Sequence, residues 1–191
     1  NPLIWGDAIF LLKQSKPVVA DIMIDNGAYG TTPAQEPAKF VGAWQHADVG
    51  SEFYSQKERP SEGWYPHAYT TGGDGSQTAT FTPNLAAAGN YEVFEWHGYV
   101  DRSQMAASVP YTITYGNGQT VAKNVNQGTN QGRWNSLGTY AFPTGRLSKV
   151  VISNRASGIV VADVISFVHR GGDSGQNDPP PAPPTGLKVN N

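Results

Sequence analysis

Short segments in which apolar and polar residues alternate recur along this chain with no helix-period stretch between them, and that pattern leaves few folds open. In Thr78–Thr82 small polar residues alternate with Ala79 and Phe81, the period of a half-buried strand. Pro83 and Asn84 end that strand, Gly89–Asn90 reset the chain, and Tyr91–Trp96 forms the next one. Val18–Ile24 opens the set, and Thr139–Phe142, Lys149–Asn154 and Ile159–Phe167 close it. Between Tyr111–Tyr115 and Thr120–Val125 stands Asn117–Gly118, a dipeptide that supplies the positive φ angles of a type I′ turn and so predicts a hairpin. Without intervening helices, parallel βαβ crossovers are excluded. The expected class is all-β, an antiparallel β-sandwich, whose strand order the pattern alone does not fix.

Several separated motifs point the same way. They are IDNG at Ile24–Gly27, TATFTPNLAAAGNYEV at Thr78–Val93, VPYTITYGNGQTVAKNVNQ at Val109–Gln127, GRWNSLGTYAF at Gly132–Phe142 and SGIVVADVISF at Ser157–Phe167. Together these resemble the golvesin C-terminal-like domain, also described as the xanthan-lyase carbohydrate-binding-like domain, over roughly Ile22–Phe167. The resemblance implies a jelly-roll, galactose-binding-like strand order, and an appendage of secreted bacterial proteins such as polysaccharide lyases and cell-wall hydrolases.

Composition narrows the partners. Charged residues make up 15% of the 191, and the formal net charge is −2, so no broad basic field exists for a phosphate backbone and nucleic acid is not expected as a partner. The absence of cysteine removes disulfides, zinc ribbons and thiol nucleophiles, without fixing the compartment. No apolar run approaches membrane-spanning length. The family likeness implies a secreted or cell-surface location.

The ends read differently from the middle. Residues 1–17 place Ile4, Trp5, Ala8, Leu11 and Leu12 at helical spacing between Pro2 and Pro17, a short N-terminal helix that either docks on the sandwich or ends a preceding domain. The sandwich is expected over 18–170. Residues 171–184 turn to Gly, Asp and Pro, a semi-rigid linker, and 185–191 resemble the opening of a fibronectin type III module. Neighbouring domains of the same chain are therefore expected partners.

Two segments are too long for simple turns, Gly42–Ser76 and His97–Val109, and long loops on a rigid sandwich are where ligands are usually met. A sugar offers an apolar ring face and a rim of hydroxyls, so its site needs aromatic platforms beside polar groups. Trp64, Tyr65 and His67, and Tyr99 with Asp101 and Arg102, have that chemistry. Loop aromatics also pin loops to a sheet, and Trp44 and Trp134 read as core. Along Tyr91–His97, Phe94 and Trp96 share one face while Tyr91, Val93, Glu95 and His97 share the other; a solvent-facing strand edge explains Glu95 and His97 as well as a site does.

Asp163 lies among apolar residues of the closing strand, where an unpaired carboxylate is costly. Its partners are either backbone amides and a basic side chain or a structural calcium, with Asp25 as co-ligand. No other cofactor is called for. As for catalysis, Glu92 and Glu95 stand three apart on a strand and face opposite sides, so they cannot flank one bond. Neither a nucleophile elbow, a zinc-binding helix nor a phosphate loop is present, and His46, His67, His97 and His169 lack metal-ligand spacing. The expectation is a non-catalytic accessory module binding polysaccharide or cell-wall glycan. The alternatives are a spacer that docks neighbouring domains and, last, part of a polysaccharide-degrading enzyme.

Overall fold

The computed structural model describes residues 19–28, 30–47 and 67–171. The N-terminal helix, Trp64, Tyr65, the Pro-rich linker and the fibronectin-like end lie outside the described residues. Twelve strands run through these segments. They are β1 (Ile22–Asp25), β2 (Lys39–Val41), β3 (Gln45–Ala47), β4 (His67–Thr71), β5 (Thr78–Phe81), β6 (Gly89–Trp96), β7 (Val109–Tyr115), β8 (Gln119–Val125), β9 (Asn135–Phe142), β10 (Lys149–Ser153), β11 (Ile159–Ala162) and β12 (Val164–His169). They form a four-stranded sheet in the order β1-β12-β6-β9 and a five-stranded sheet in the order β2-β5-β10-β7-β8. A small third sheet, β11-β4-β3, completes the set. Every strand pairing is antiparallel, and neighbours in a sheet are mostly distant in sequence, as in a jelly roll.

Alternation builds the core. β6 turns Tyr91 and Val93 inward, β7 turns Val109, Tyr111 and Ile113, and β12 turns Ile165 and Phe167, all at most 1% exposed. Each such side chain removed from water stabilises the fold by about 1.5–3 kcal/mol. Tyr91, Phe142 and Phe167 meet edge to face, with ring centroids 5.9 and 5.8 Å apart. Trp96 and Val164 form a separate cluster with Met23 and Trp134, the two indoles 5.5 Å apart. Trp44 packs half-buried against the main core beside Phe40.

Three expectations change. The segment Gly42–Ser76 is not one irregular loop, because it contains β3 and β4. The β7–β8 connection is a three-residue turn with positive φ at Gly116 (52°) and Gly118 (87°) and not at Asn117, so it is not type I′. Finally, the closing strand is divided at Asp163, where the chain leaves the third sheet as β11 and enters the four-stranded sheet as β12. The backbone amide of Asn26 donates to the Asp163 carbonyl at that crossing (2.8 Å).

Two edge strands lie on the same side of the sandwich, β8 from one sheet and β9 from the other. At one end they are drawn together. The Gly116 amide donates to the Ala141 carbonyl (2.8 Å), and the rings of Tyr115 and Tyr140 lie 4.9 Å apart. Towards the other end a cleft opens between them.

Candidate functional site: an amide-lined cleft over a buried polar network

The cleft has a volume of about 410 Å³. Its lining includes Lys123, Asn124, Asn126, Asn130, Asn135 and Ser136, with Thr129 and His97 at the rim of the loop that follows β8. The floor is shaped by a bulge in β9. Val93 pairs with Gly138 and Phe94 with Ser136, so Leu137 is an extra residue, and Gly138 takes a φ of 114° that a side chain would not tolerate. Such a bulge re-aims the residues around it, here Asn135 and Ser136.

The loop between β8 and β9 holds itself in shape. Asn126 accepts from the Gly128 amide (2.9 Å), Gln131 donates to the Gln127 carbonyl (2.8 Å), and Asn135 donates to the carbonyls of Asn130 (3.3 Å) and Arg133 (3.1 Å). Asn130 has a φ of 60°, a conformation Asn adopts more readily than most residues. By contrast, the side-chain amides of Asn124 and Asn130 and the ammonium of Lys123 have no hydrogen-bond or ion-pair partner among the described residues, which leaves their donors and acceptors to solvent or a ligand.

Behind the rim lies a polar network inside the core. Glu95, His97, Gln127 and His67 are all fully buried. The Glu95 carboxylate lies 2.9 and 3.0 Å from His97 Nδ1, and His97 Nε2 lies 3.0 Å from the Thr129 carbonyl. A carbonyl only accepts, so Nε2 carries a proton, and a second proton sits between Nδ1 and Glu95. The dyad is thus a strut from β6 to the rim of the cleft. Gln127 closes the network by donating to the Tyr111 hydroxyl and the Val161 carbonyl and accepting from the Val161 amide, each at 2.8 Å. Burial, followed by the charge of Glu95, holds the Tyr111 phenol well above its ordinary 10. Burial, followed by the charge on His97, lowers His67 to about 4, so His67 is neutral near pH 7.

These positions correct the reading of two histidines and a carboxylate. Glu95 and His97 face the core and not a solvent edge, since β6 alternation carries them inward with Tyr91 and Val93. His67 is completely enclosed and is not a contact for a surface ligand. Glu92 does point away from Glu95, and it pairs with Arg170 (2.6 Å) and accepts from Ser136 (2.7 Å).

In the loop after β6, Arg102 lies 3.7 Å above the Tyr99 ring and donates to Gln131 (2.9 Å), so that face of the ring is already covered. Asp101 spends its oxygens on the turn. It accepts from the Ser103 amide (2.9 Å), the Ser103 hydroxyl (2.6 Å) and Gln104 (2.6 Å), and these bonds lower its carboxyl below the ordinary value. Tyr99 and Arg102 therefore brace the cleft loop through Gln131, and Asp101 shapes the adjoining turn.

Asp25 stands opposite Val164, next to the sheet crossing at Asp163, and both residues are buried. The Asp25 carboxylate accepts backbone hydrogen bonds from Asn26, Gly27 and Gly30, yet burial outweighs them and raises it to about 8. A Cβ on Gly30 would stand 1.8 Å from Asp25 Oδ2, so only glycine allows that loop to close. No group of three His, Asp or Glu side chains able to hold a metal occurs among the described residues.

Of the cleft, only His97 had been singled out from the sequence. The signal that marks it is the density of side-chain amides in NVNQGTNQGRWN (Asn124–Asn135), six in twelve residues and far above an ordinary loop.

Known proteins share this architecture. A xanthan lyase from Bacillus sp. (strain GL1) is 32% identical over 159 residues, which is 80% of this chain and 15% of that protein. The structure of a Paenibacillus xanthan lyase overlays with a TM-score of 0.65 at 29% identity, covering 81% of this chain and 13% of the other. A Podospora anserina β-(1,4)-mannanase overlays at 14% identity and a TM-score of 0.46, over 83% of this chain and 29% of the other, too distant to carry functional weight. The chain thus spans about 15% of the curated relative's length. The Golvesin C-terminal domain profile matches residues 31–169, most of the sandwich, and the chain belongs to the Golvesin C-terminal domain family.

Proposed function

We propose that this domain is a non-catalytic accessory module of a secreted bacterial multidomain protein, and that it binds polysaccharide or cell-wall glycan in the cleft between β8 and β9. The observation that carries this reading is the lining. Side-chain amides offer a donor and an acceptor on one rigid plane, matching the donor and acceptor roles of sugar hydroxyls, and that of Asn130 is uncommitted. Catalysis has little support in the same place. Glu95 is buried behind His97, and Glu92 is tied to Arg170 and to Ser136 of the lining.

Membership of a family whose relative is a xanthan lyase supports a role beside a polysaccharide-acting domain. A shallow site with millimolar to micromolar affinity, worth about 4–8 kcal/mol, suffices for such a module, since tethering multiplies its effect. No cofactor is required for this. A structural calcium at Asp25 or Asp163 would draw its remaining ligands from backbone carbonyls.

The test is titration of the protein with a panel of acidic and neutral polysaccharides and peptidoglycan, following tryptophan fluorescence with and without chelator. Saturable binding is expected, and its chelator sensitivity reads the calcium. A folded protein that binds no polymer would overturn the glycan reading in favour of a spacer that docks neighbouring domains.

A further inference from the structure

The charge distribution around the cleft points to the class of sugar it takes. Lys123 pairs with Tyr111 across β7 and β8, so alternation puts it on the core-facing side of β8, in line with Val121 and Val125. Because β8 is the edge of its sheet, that side opens into the cleft, and Lys123 is part of its wall. A lysine turned inward on an edge strand is unusual for a residue whose only task is solubility.

No aspartate or glutamate is among the described lining residues; Glu92, which accepts from the lining Ser136 (2.7 Å), is paired with Arg170 (2.6 Å), and Lys123 has no ion pair among the described residues. The protein as a whole carries a net charge of −2, so a cleft whose one full charge among the described lining residues is positive departs from the average surface. By contrast, Lys39 and Arg146, beside a smaller cleft of about 210 Å³, are both engaged by Glu36 (3.4 and 3.5 Å).

We infer that the cleft selects saccharide units bearing a carboxylate, with Lys123 taking the carboxylate and the Asn130 amide taking ring hydroxyls. This rests on the glycan-binding reading and refines it. An ammonium without an ion pair among the described residues gains a charge-assisted hydrogen bond from such a unit, and the Asn130 amide, being neutral, does not repel it. The interaction is open to solvent, so it sets preference more than affinity, and it weakens with salt.

The experiment is an amide-resolved NMR titration of the protein with glucuronate, glucose and acetate at equal concentrations, repeated with K123Q. Glucuronate is expected to perturb the Asn130 side-chain amide and to bind about threefold to fivefold more tightly than glucose, as an exposed ion pair would give. K123Q is expected to erase that preference while glucose binding persists.

Equal binding of glucuronate and glucose would overturn the carboxylate preference and leave the glycan reading standing. Acetate matching glucuronate would show a general anion site and would also overturn it. If K123Q changes nothing, Lys123 merely guards an edge strand against pairing with another chain, a known use of inward charges. If neither sugar perturbs the cleft, the glycan reading falls with the inference.

Discussion

Two buried groups shifted in opposite senses give this domain an unusual dependence of stability on pH. His67 is lowered from 6.5 to about 4 by burial and by the charge of His97. Between those values the unfolded chain binds a proton that the folded one refuses, so His67 makes stability rise with pH and lose that contribution as pH falls through 4. The span of the shift corresponds to about 3 kcal/mol at about 1.4 kcal/mol per pH unit. Asp25, raised from 3.8 to about 8 by burial, acts the other way. The folded state keeps a proton that the unfolded chain has lost, so its contribution is present below 3.8 and is lost as pH rises to 8.

From about 4 to 6.5 the two slopes cancel; above 6.5 only Asp25 remains, over about 1.5 units, or about 2 kcal/mol. Asp21, also raised by burial, adds in the same sense as Asp25. Asp74 and Asp101, lowered by their hydrogen bonds, act only below this window. Urea unfolding followed by tryptophan fluorescence at half-unit steps from pH 4 to 8.5 is therefore expected to show a plateau and then a decline. The D25N variant should instead rise by about 3 kcal/mol up to pH 6.5 and stay level. A wild-type protein whose stability climbs above pH 6.5, or a D25N variant that declines there as steeply as wild type, would refute the assignment.

Other perturbations probe the frame of the site. Gln127→Ala orphans the Val161 amide and the Val161 carbonyl inside the core and leaves the Tyr111 hydroxyl with Glu95 alone, and each orphaned group costs about 1–3 kcal/mol, so urea unfolding should report a loss of about 3 kcal/mol or more. Gly158→Ala sets a Cβ 2.6 Å from the Gln104 carbonyl oxygen at a φ of 105°, and thermal melting should fall by more than 5 °C, equivalent to about 1–3 kcal/mol; an unchanged melting temperature would mean that the Met105–Ile159 bridge is not formed in solution.

Strands with enough residues to show alternation were legible in the sequence. TATFT, YEVFEW and YTITY each read correctly to within a few residues, because period-2 patterning is set by burial on one face. β2 and β3 were not, since three residues carry too little alternation to stand out from a loop. β4 hid for a related reason, as its buried residues include His67 and Thr70, which look like surface chemistry until the third sheet encloses them.

The same ambiguity governed Glu95 and His97. Sequence alternation placed them on the face of Tyr91 and Val93, but only the contact with Thr129, distant along the chain, shows why two polar groups belong inside. The cleft itself was invisible to a search for aromatic platforms, being made of amides from one loop and a bulge in β9. The opposite orientation of Glu92 and Glu95 followed from parity alone, and the register of β6 agrees with it.

The most direct test of the cleft as a glycan site is the variant N130A, compared with wild type for depletion from solution by whichever polysaccharide retains the wild-type protein. Asn130 lines the cleft and its side chain does not support the fold through a hydrogen bond among the described residues. The account predicts loss of retention by about tenfold or more, equivalent to about 1.4 kcal/mol, with an unchanged melting temperature. Full retention by a correctly folded variant would contradict it and move the site elsewhere on the molecule.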